Sequence, residues 1–109
     1  MSNVEIIDNT ELFRNATDEA IERALEAIGI TAEGYAKLLC PVDTGRLRNS
    51  ITHDVRKSEK AVYIGTNVEY APYVEMGTSR TRPQPYLQPA IQNNKDEYKQ
   101  LLEDELKKG

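Results

Sequence analysis

The chain of 109 residues has no tryptophan, one cysteine, one histidine and one phenylalanine. A single thiol excludes an internal disulfide, and one histidine beside one cysteine leaves no cluster at zinc-ligand spacing. Cys40 reads as a small buried residue at a helix end rather than a reactive thiol. No apolar run approaches the ~18 residues that a membrane helix needs. The N-terminus carries no signal-peptide pattern, so synthesis in the cytoplasm is expected. Gly65 and Gly77 stand isolated, which leaves no glycine-rich loop to cradle a phosphate. Repeats, low-complexity stretches and linkers are also missing, so residues 1–109 are expected to form one domain.

What is present suits a small folded protein: 39% of residues are hydrophobic and 29% charged, outside the range of disordered chains. A chain of this length buries only roughly two-thirds of its unfolded surface, so its core is modest and assembly would add stability. The formal net charge of -4 is unevenly spread. Up to Cys40, eight acids face Arg14, Arg23 and Lys37; from Pro41 to Pro85, five acids face Arg46, Arg48, Arg56, Lys57, Lys60, Arg80 and Arg82. An acidic arm beside a mildly basic centre suits contact between unlike faces of neighbouring subunits. The basic excess is too small for a dedicated nucleic-acid binder.

From about Thr10, apolar residues recur at three- and four-residue steps: Phe13, Ala16, Ala20, Ile21, Ala24, Leu25, Ile28, Ala32, Tyr35, Ala36 and Leu39. That spacing predicts a long amphipathic helix, preceded by a short strand at Val4 to Ile7. Thr17, followed by Asp18 and Glu19, has the composition of a second helix start, with a hydroxyl for orphan amides and acids at the positive end of the dipole. Gly29 and Gly34 each weaken a helix by about 1 kcal/mol relative to alanine and mark a bend or a close approach by the sheet. Pro41 stops the helix. PVDTG is a turn, with Asp43 bonding its own backbone and Gly45 free to adopt positive φ. Leu47 to Arg56 alternates like a strand, with Leu47, Ile51, Val55 and His53 on one face. Lys57 to Lys60 reads as a hairpin turn into a second strand, Ala61 to Thr66, with Val62 and Ile64 inward; so short a connection makes the pair antiparallel. Tyr70, Tyr73 and Val74 suggest a helical turn ending at Gly77, and Met76 to Gln84 a loop. Tyr86, Leu87, Ile91, Tyr98, Leu101, Leu102 and Leu106 line a second amphipathic helix. The fold class is α+β: long N-terminal helix, small antiparallel sheet, long loop, C-terminal amphipathic helix.

The sharpest enzymatic lead is Asp43-Thr44-Gly45, the triplet of aspartic proteases, in which two aspartates from a homodimer share a proton. In that family the triplet follows an apolar strand in a nearly all-β chain and precedes a small residue; here it follows a helix and precedes Arg46. It therefore reads as a helix-to-strand turn. His53-Asp54 hints at a metal-dependent nuclease but lacks a second histidine or acids at ligand spacing. Tyr70, Tyr73 and Tyr86 beside Arg80 and Arg82 would form a stacking surface for single strands in a nucleic-acid-binding accessory protein. The same residue types are enriched at protein interfaces, and the overall acidity favours protein. No catalytic, cofactor-binding or metal-binding set is assigned. Glu75 is expected to meet a nearby arginine, Arg48 foremost, with Tyr70 and Tyr73 partly buried.

Two stretches together carry a resemblance: Pro41-Val42-Asp43-Thr44-Gly45 with Leu47, Arg48, Ser50 and Ile51, and Tyr63 to Thr66 (YIGT) continuing into Tyr70, Ala71, Tyr73, Val74, Glu75, Gly77 and Thr78. Arg82-Pro83, Pro85, Tyr86, Leu87, Pro89 and Ala90 extend it. In order and spacing the chain resembles the tail-component family of long-tailed bacteriophages, also described as tail-completion or tail-to-head joining proteins. Cys40, where a small residue such as alanine is usual, and Met76, where an aromatic is common, are slight departures. The resemblance implies a non-enzymatic virion protein without cofactor, assembled in the host cytoplasm into a homo-oligomeric ring, commonly sixfold, at the neck. Its implied partners are the head-tail connector and the tail tube or terminator proteins, with DNA passing through the ring but no specific nucleic acid and no membrane. Tyr70, Tyr73, Glu75, Arg80, Arg82 and Tyr86 become the expected subunit interface, and Pro41, Asp43, Gly45 and Gly77 its structural turns. Arg80 and Arg82 are expected to meet acids on a neighbour.

Overall fold

The computed structural model describes residues 2–5, 16–41, 45–68, 70–80 and 82–107. β1 (Ser2–Glu5) is followed by α1 (Asp18–Leu39), α2 (Gly45–Ser50), β2 (Thr52–Arg56), β3 (Ala61–Thr66), α3 (Ala71–Met76), α4 (Leu87–Gln92) and α5 (Lys95–Lys107). The sheet order is β1-β3-β2 and both pairings are antiparallel. Of the strand expected at Val4 to Ile7, Val4 and Glu5 are extended in β1, which begins at Ser2 and pairs with β3. Ile6 and Ile7 lie outside the described residues. Thr10 to Asn15 of the expected helix, with Phe13, lie outside the described residues.

α1 starts where a hydroxyl can serve its orphan amides: Thr17 is extended and its Oγ1 accepts from the Ala20 N–H at 3.1 Å. Asp18 and Glu19 occupy its positive first turn. At the other end the Cys40 N–H donates to the Ala36 carbonyl at 2.9 Å, and Pro41 follows. Between these caps α1 is covered on two sides. One side meets the sheet through β2 and β3, and another meets α4 and α5. Ala20, Ala24, Ala32 and Ala36 are all buried on it beside Ile21, Leu25 and Ile28; small side chains let both neighbours come close without leaving voids. Arg23 ties α1 to α5 twice at 3.0 Å, from Nε to the Glu105 carboxylate and from Nη2 to its backbone carbonyl.

Two elements differ from the pattern read in the sequence. Leu47 to Ser50 is helix α2, not strand, and only Thr52–Arg56 is extended. Buried Leu47 and Ile51 lie four residues apart, a spacing that serves a strand face and a helix face equally. What decides it is a chain of hydrogen bonds. The Val68 N–H donates to Thr66 Oγ1, the Thr66 hydroxyl pairs with Ser50 Oγ, and Ser50 donates back to the Leu47 carbonyl at 2.7 Å. The C-terminal helix is likewise two helices, α4 and α5, broken at Asn93-Asn94. There Asn94 Nδ2 and the Tyr98 hydroxyl both donate to the Ala90 carbonyl, freed by the break.

β2 follows the expected alternation, whereas β3, with Val62 and Ile64 inward, is buried at every position but Tyr63. His53 pairs with Ile64 and Val55 with Val62, and these face α1. On the opposite face Arg56 stacks over the Tyr63 ring at 4.5 Å. Lys57–Glu59 form a 3-10 turn closed by Lys60 at φ 53°.

Gly29 explains how near the sheet lies. A Cβ built there would sit 2.6 Å from His53 Cδ2 and 3.0 Å from Val62 Cγ2. The His53 ring has little room to retreat, because Nε2 meets Glu26 at 2.6 Å and Nδ1 meets Glu33 at 2.9 Å. Lys37 joins the cluster at 3.0 Å from Glu33. Burial works against charge on His53, but hydrogen bonds and attraction from Glu26 and Glu33 outweigh it and raise its pKa. For Glu33 burial is outweighed in the same way by His53 and Lys37, and its pKa is lowered.

Gly29→Ala is expected to destabilise by roughly 1–3 kcal/mol through overpacking, although alanine is the better helix former. Gly34→Ala, with nothing within 4 Å of its Cβ position, gains about 1 kcal/mol, or a rise in Tm of about 4–8 °C. Thermal melts of the two variants check both signs. Stability measured against pH has a further signature. The raised His53 pKa gives a contribution complete below its ordinary value near 6.5 and lost as pH climbs through the folded value. The lowered Glu33 pKa gives one complete above 4.5 and lost on acidification. Denaturant titrations should therefore peak between those values, and His53→Gln should remove the alkaline decline.

Candidate assembly interface

α3 is only six residues long, too short to persist without tertiary support. Buried Ala71 and half-buried Val74 hold its inner face on the core, with Pro72 in the first turn, where its missing N–H costs nothing. Gly77 ends the helix at φ 76°, ψ 179°, a conformation open to glycine and strained for other residues. Its N–H donates to the Tyr73 carbonyl at 2.8 Å.

A largely exposed arm follows, described over residues 77–80 and 82–83, and its base is closed by the Gln84 N–H donating to the Val74 carbonyl at 2.8 Å. Glu75 supplies the second fastening. Its Oε1 accepts from the N–H groups of Tyr86 and Leu87, both at 2.9 Å, and Oε2 from Gln88 at 3.2 Å. One carboxylate thereby satisfies three amides at the start of α4, by charge-assisted bonds that are stronger than neutral ones. Within the arm, Thr78 Oγ1 accepts from the Arg80 N–H at 3.2 Å, a local turn bond. Thr78, Ser79, Arg80, Arg82 and Pro83 are exposed, and neither guanidinium meets a carboxylate among the described residues.

The residues singled out from the sequence divide into three groups. Tyr73 at 60% exposure and Met76 at 73%, one helical turn apart, give α3 an apolar outer face that leads into Arg80 and Arg82. Tyr70 is half-buried beneath Arg46, whose guanidinium lies 5.7 Å from the ring centroid. Two others are engaged within the subunit. Glu75 is spent on the α4 amides rather than on Arg48, and Tyr86 is wholly buried in the core. Tyr73 is correspondingly more exposed than its helical partner Tyr70. Among the turn residues, Pro41 follows the α1 cap, Gly45 begins α2 and Gly77 ends α3, whereas Asp43 lies outside the described residues. The α+β arrangement is unlike the nearly all-β chain in which the protease triplet works. Leu38 and Leu39, exposed at the C-terminal end of α1, were not among the expected surface residues. Periodicity left Leu38 off the inward face but placed Leu39 on it, and the exposure of Leu39 corrects that reading. No group of three or more His, Cys, Asp or Glu able to hold a metal occurs among the described residues, and no described helix is long and apolar enough to cross a membrane.

A family model described as "Bacteriophage HK97-gp10, putative tail-component" matches residues 5–77. The match takes in α1, the β2-β3 hairpin and α3, and stops at the root of the arm; the resemblance read from Arg82 to Ala90 falls beyond it. No curated protein and no solved structure gives a significant match.

The Tyr86 hydroxyl has no hydrogen-bond partner among the described residues, and burial pushes its phenol pKa far up. Tyr86→Phe should therefore leave stability unchanged or raise it, since deleting an unsatisfied buried polar atom removes its desolvation cost. Tyr98→Phe loses the bond to the Ala90 carbonyl and should cost about 1 kcal/mol. Urea titrations of the pair separate the two cases, and a Tyr86→Phe variant that folded but failed to assemble would return Tyr86 to the interface.

Proposed function

The chain belongs to the HK97-gp10-like family of bacteriophage tail components, and from that premise we propose that it completes the neck, joining the capsid connector to the tail tube as a ring of identical subunits. The family is structural, and the observation carrying the reading is its match over residues 5–77. Two features support the finer placement. A chain of this length has a modest core, so assembly would add stability. The outer face of α3 also exposes Tyr73 and Met76, with Arg80 and Arg82 following in the chain, residue types that interfaces favour.

In this reading Tyr73, Met76, Arg80 and Arg82 contact neighbouring subunits, with Tyr70 and Arg46 beneath them. The connector and the tail tube or terminator proteins lie above and below, and DNA passes through the ring without being read. Six copies per ring is the expected number.

Quantitative mass spectrometry of purified phage particles tests the placement. A fixed low copy number, equal to one ring per particle, is expected. Absence from mature particles whose formation still requires the protein would make it an assembly factor and would remove it from the neck.

A further inference from the structure

The arm is one half of a complementary pair of surfaces, and the other half lies on α1. Glu19, Glu22, Glu26 and Ile30 follow one another at steps of three and four residues, so they share one face of that helix. All four are exposed, and Ile30, at 58%, is a large apolar side chain left in water at the end of a row of carboxylates. Some of this charge is engaged locally: Glu26 meets His53 and Glu22 lies 4.0 Å from Lys57. Glu19 meets no cation among the described residues. The stripe pairs acids with an apolar contact, and the outer surface of α3 and its arm pairs arginines with Tyr73 and Met76.

We propose that these two surfaces dock on one another between copies of the chain, the arm and outer face of α3 of one subunit seating on the Glu19-to-Ile30 stripe of the next. Arg80 and Arg82 meet the carboxylates, and Tyr73 and Met76 cover Ile30. The inference rests on the ring reading above and names the contact that builds it. The occupant is a second copy because the chain itself carries both halves, opposite in charge and each with exposed apolar area. A partner of the same charge pattern as the arm would have to compete with it. Two unlike patches can meet reciprocally, which stops at a dimer, or head to tail, each subunit using one patch to the left and the other to the right. The ring reading above requires the second, heterologous arrangement. Such contacts propagate and close into rings, whereas a self-complementary patch stops at a dimer. The clamped base of the arm favours the docked state, because a segment held at both ends loses less freedom on binding.

Charge exchange tests this. One variant carries Arg80→Glu with Arg82→Glu and a second carries Glu19→Lys with Glu22→Lys; both pairs are solvent-exposed and both variants are checked for a native melt. Sedimentation velocity of the wild-type protein, at concentrations up to millimolar, should show self-association that weakens with added salt. Each variant alone should be monomeric, since its two patches then carry like charge. Mixed one to one, they should associate again, alternating around the assembly. If a variant melts abnormally, Arg80→Ala with Arg82→Ala and Glu19→Gln with Glu22→Gln replace the pairs, with weakened association expected of each. A monomeric wild type, variants that associate normally, or a mixture no better than its parts would each overturn the contact. So would loss of duplex DNA binding in the arginine variant of a monomeric wild type. None of these outcomes bears on the copy number in particles, so the contact can fail while the neck placement stands.

Discussion

α1 is approached from both sides, and the rest of the fold follows from that crowding. A helix enclosed by a sheet and by two further helices must present narrow surfaces, which is why alanines alternate with larger aliphatics around half its circumference. At Gly29 even a methyl group is too much, because the His53 ring occupies the space. The ring in turn is fixed by Glu26 and Glu33, reaching from the same helix. Register between α1 and β2 is thereby set by steric contact and by charge at one point. The energetic penalty of glycine in a helix, about 1 kcal/mol, is accepted where the sheet makes its closest approach and gains nothing at Gly34, where no neighbour lies within reach.

Glu75 plays the corresponding part for the second half of the molecule. Neither α3 nor α4 is long enough to hold itself together, and between them runs an arm with little apolar content of its own. A carboxylate accepting three amides links the end of one helix to the start of the next. The excursion between them becomes a closed loop on a fixed root, which accounts for ordered geometry at the base despite an exposed tip.

Much of this was legible in the residues. The α1 pattern, its Thr17 start and Pro41 stop, the β2-β3 hairpin with Val62 and Ile64 inward, and the short helix before Gly77 all follow from periodicity and turn chemistry, which are local. Leu47 to Ser50 failed because a spacing of four fits two periods, and the deciding hydrogen bonds come from Thr66 and Val68, far along the chain. The break at Asn93-Asn94 was hidden because apolar residues continue at helical steps across it. The contacts of Glu75 and Tyr86 within the subunit were illegible for a related reason: tyrosine and glutamate have the same composition signature at an interface and in a core, and only the tertiary path tells which amides a carboxylate reaches. Periodicity leaves Leu38 and Ile30 off the inward face; Leu39 continues the inward steps but is exposed at the last position of the helix.

The closed root of the arm also bears on how such a protein diversifies. Loop closure grows only logarithmically with length, each doubling costing about 0.6 kcal/mol, and here the ends are already joined by bonds to α3. Residues between Gly77 and Gln84 are therefore insulated from folding: they can be lengthened, shortened or rewritten while α1, the sheet and the Glu75 fastening remain as they are. With the arm as the proposed contact, a lineage could exchange its neighbours by altering a few exposed positions and leave its scaffold untouched.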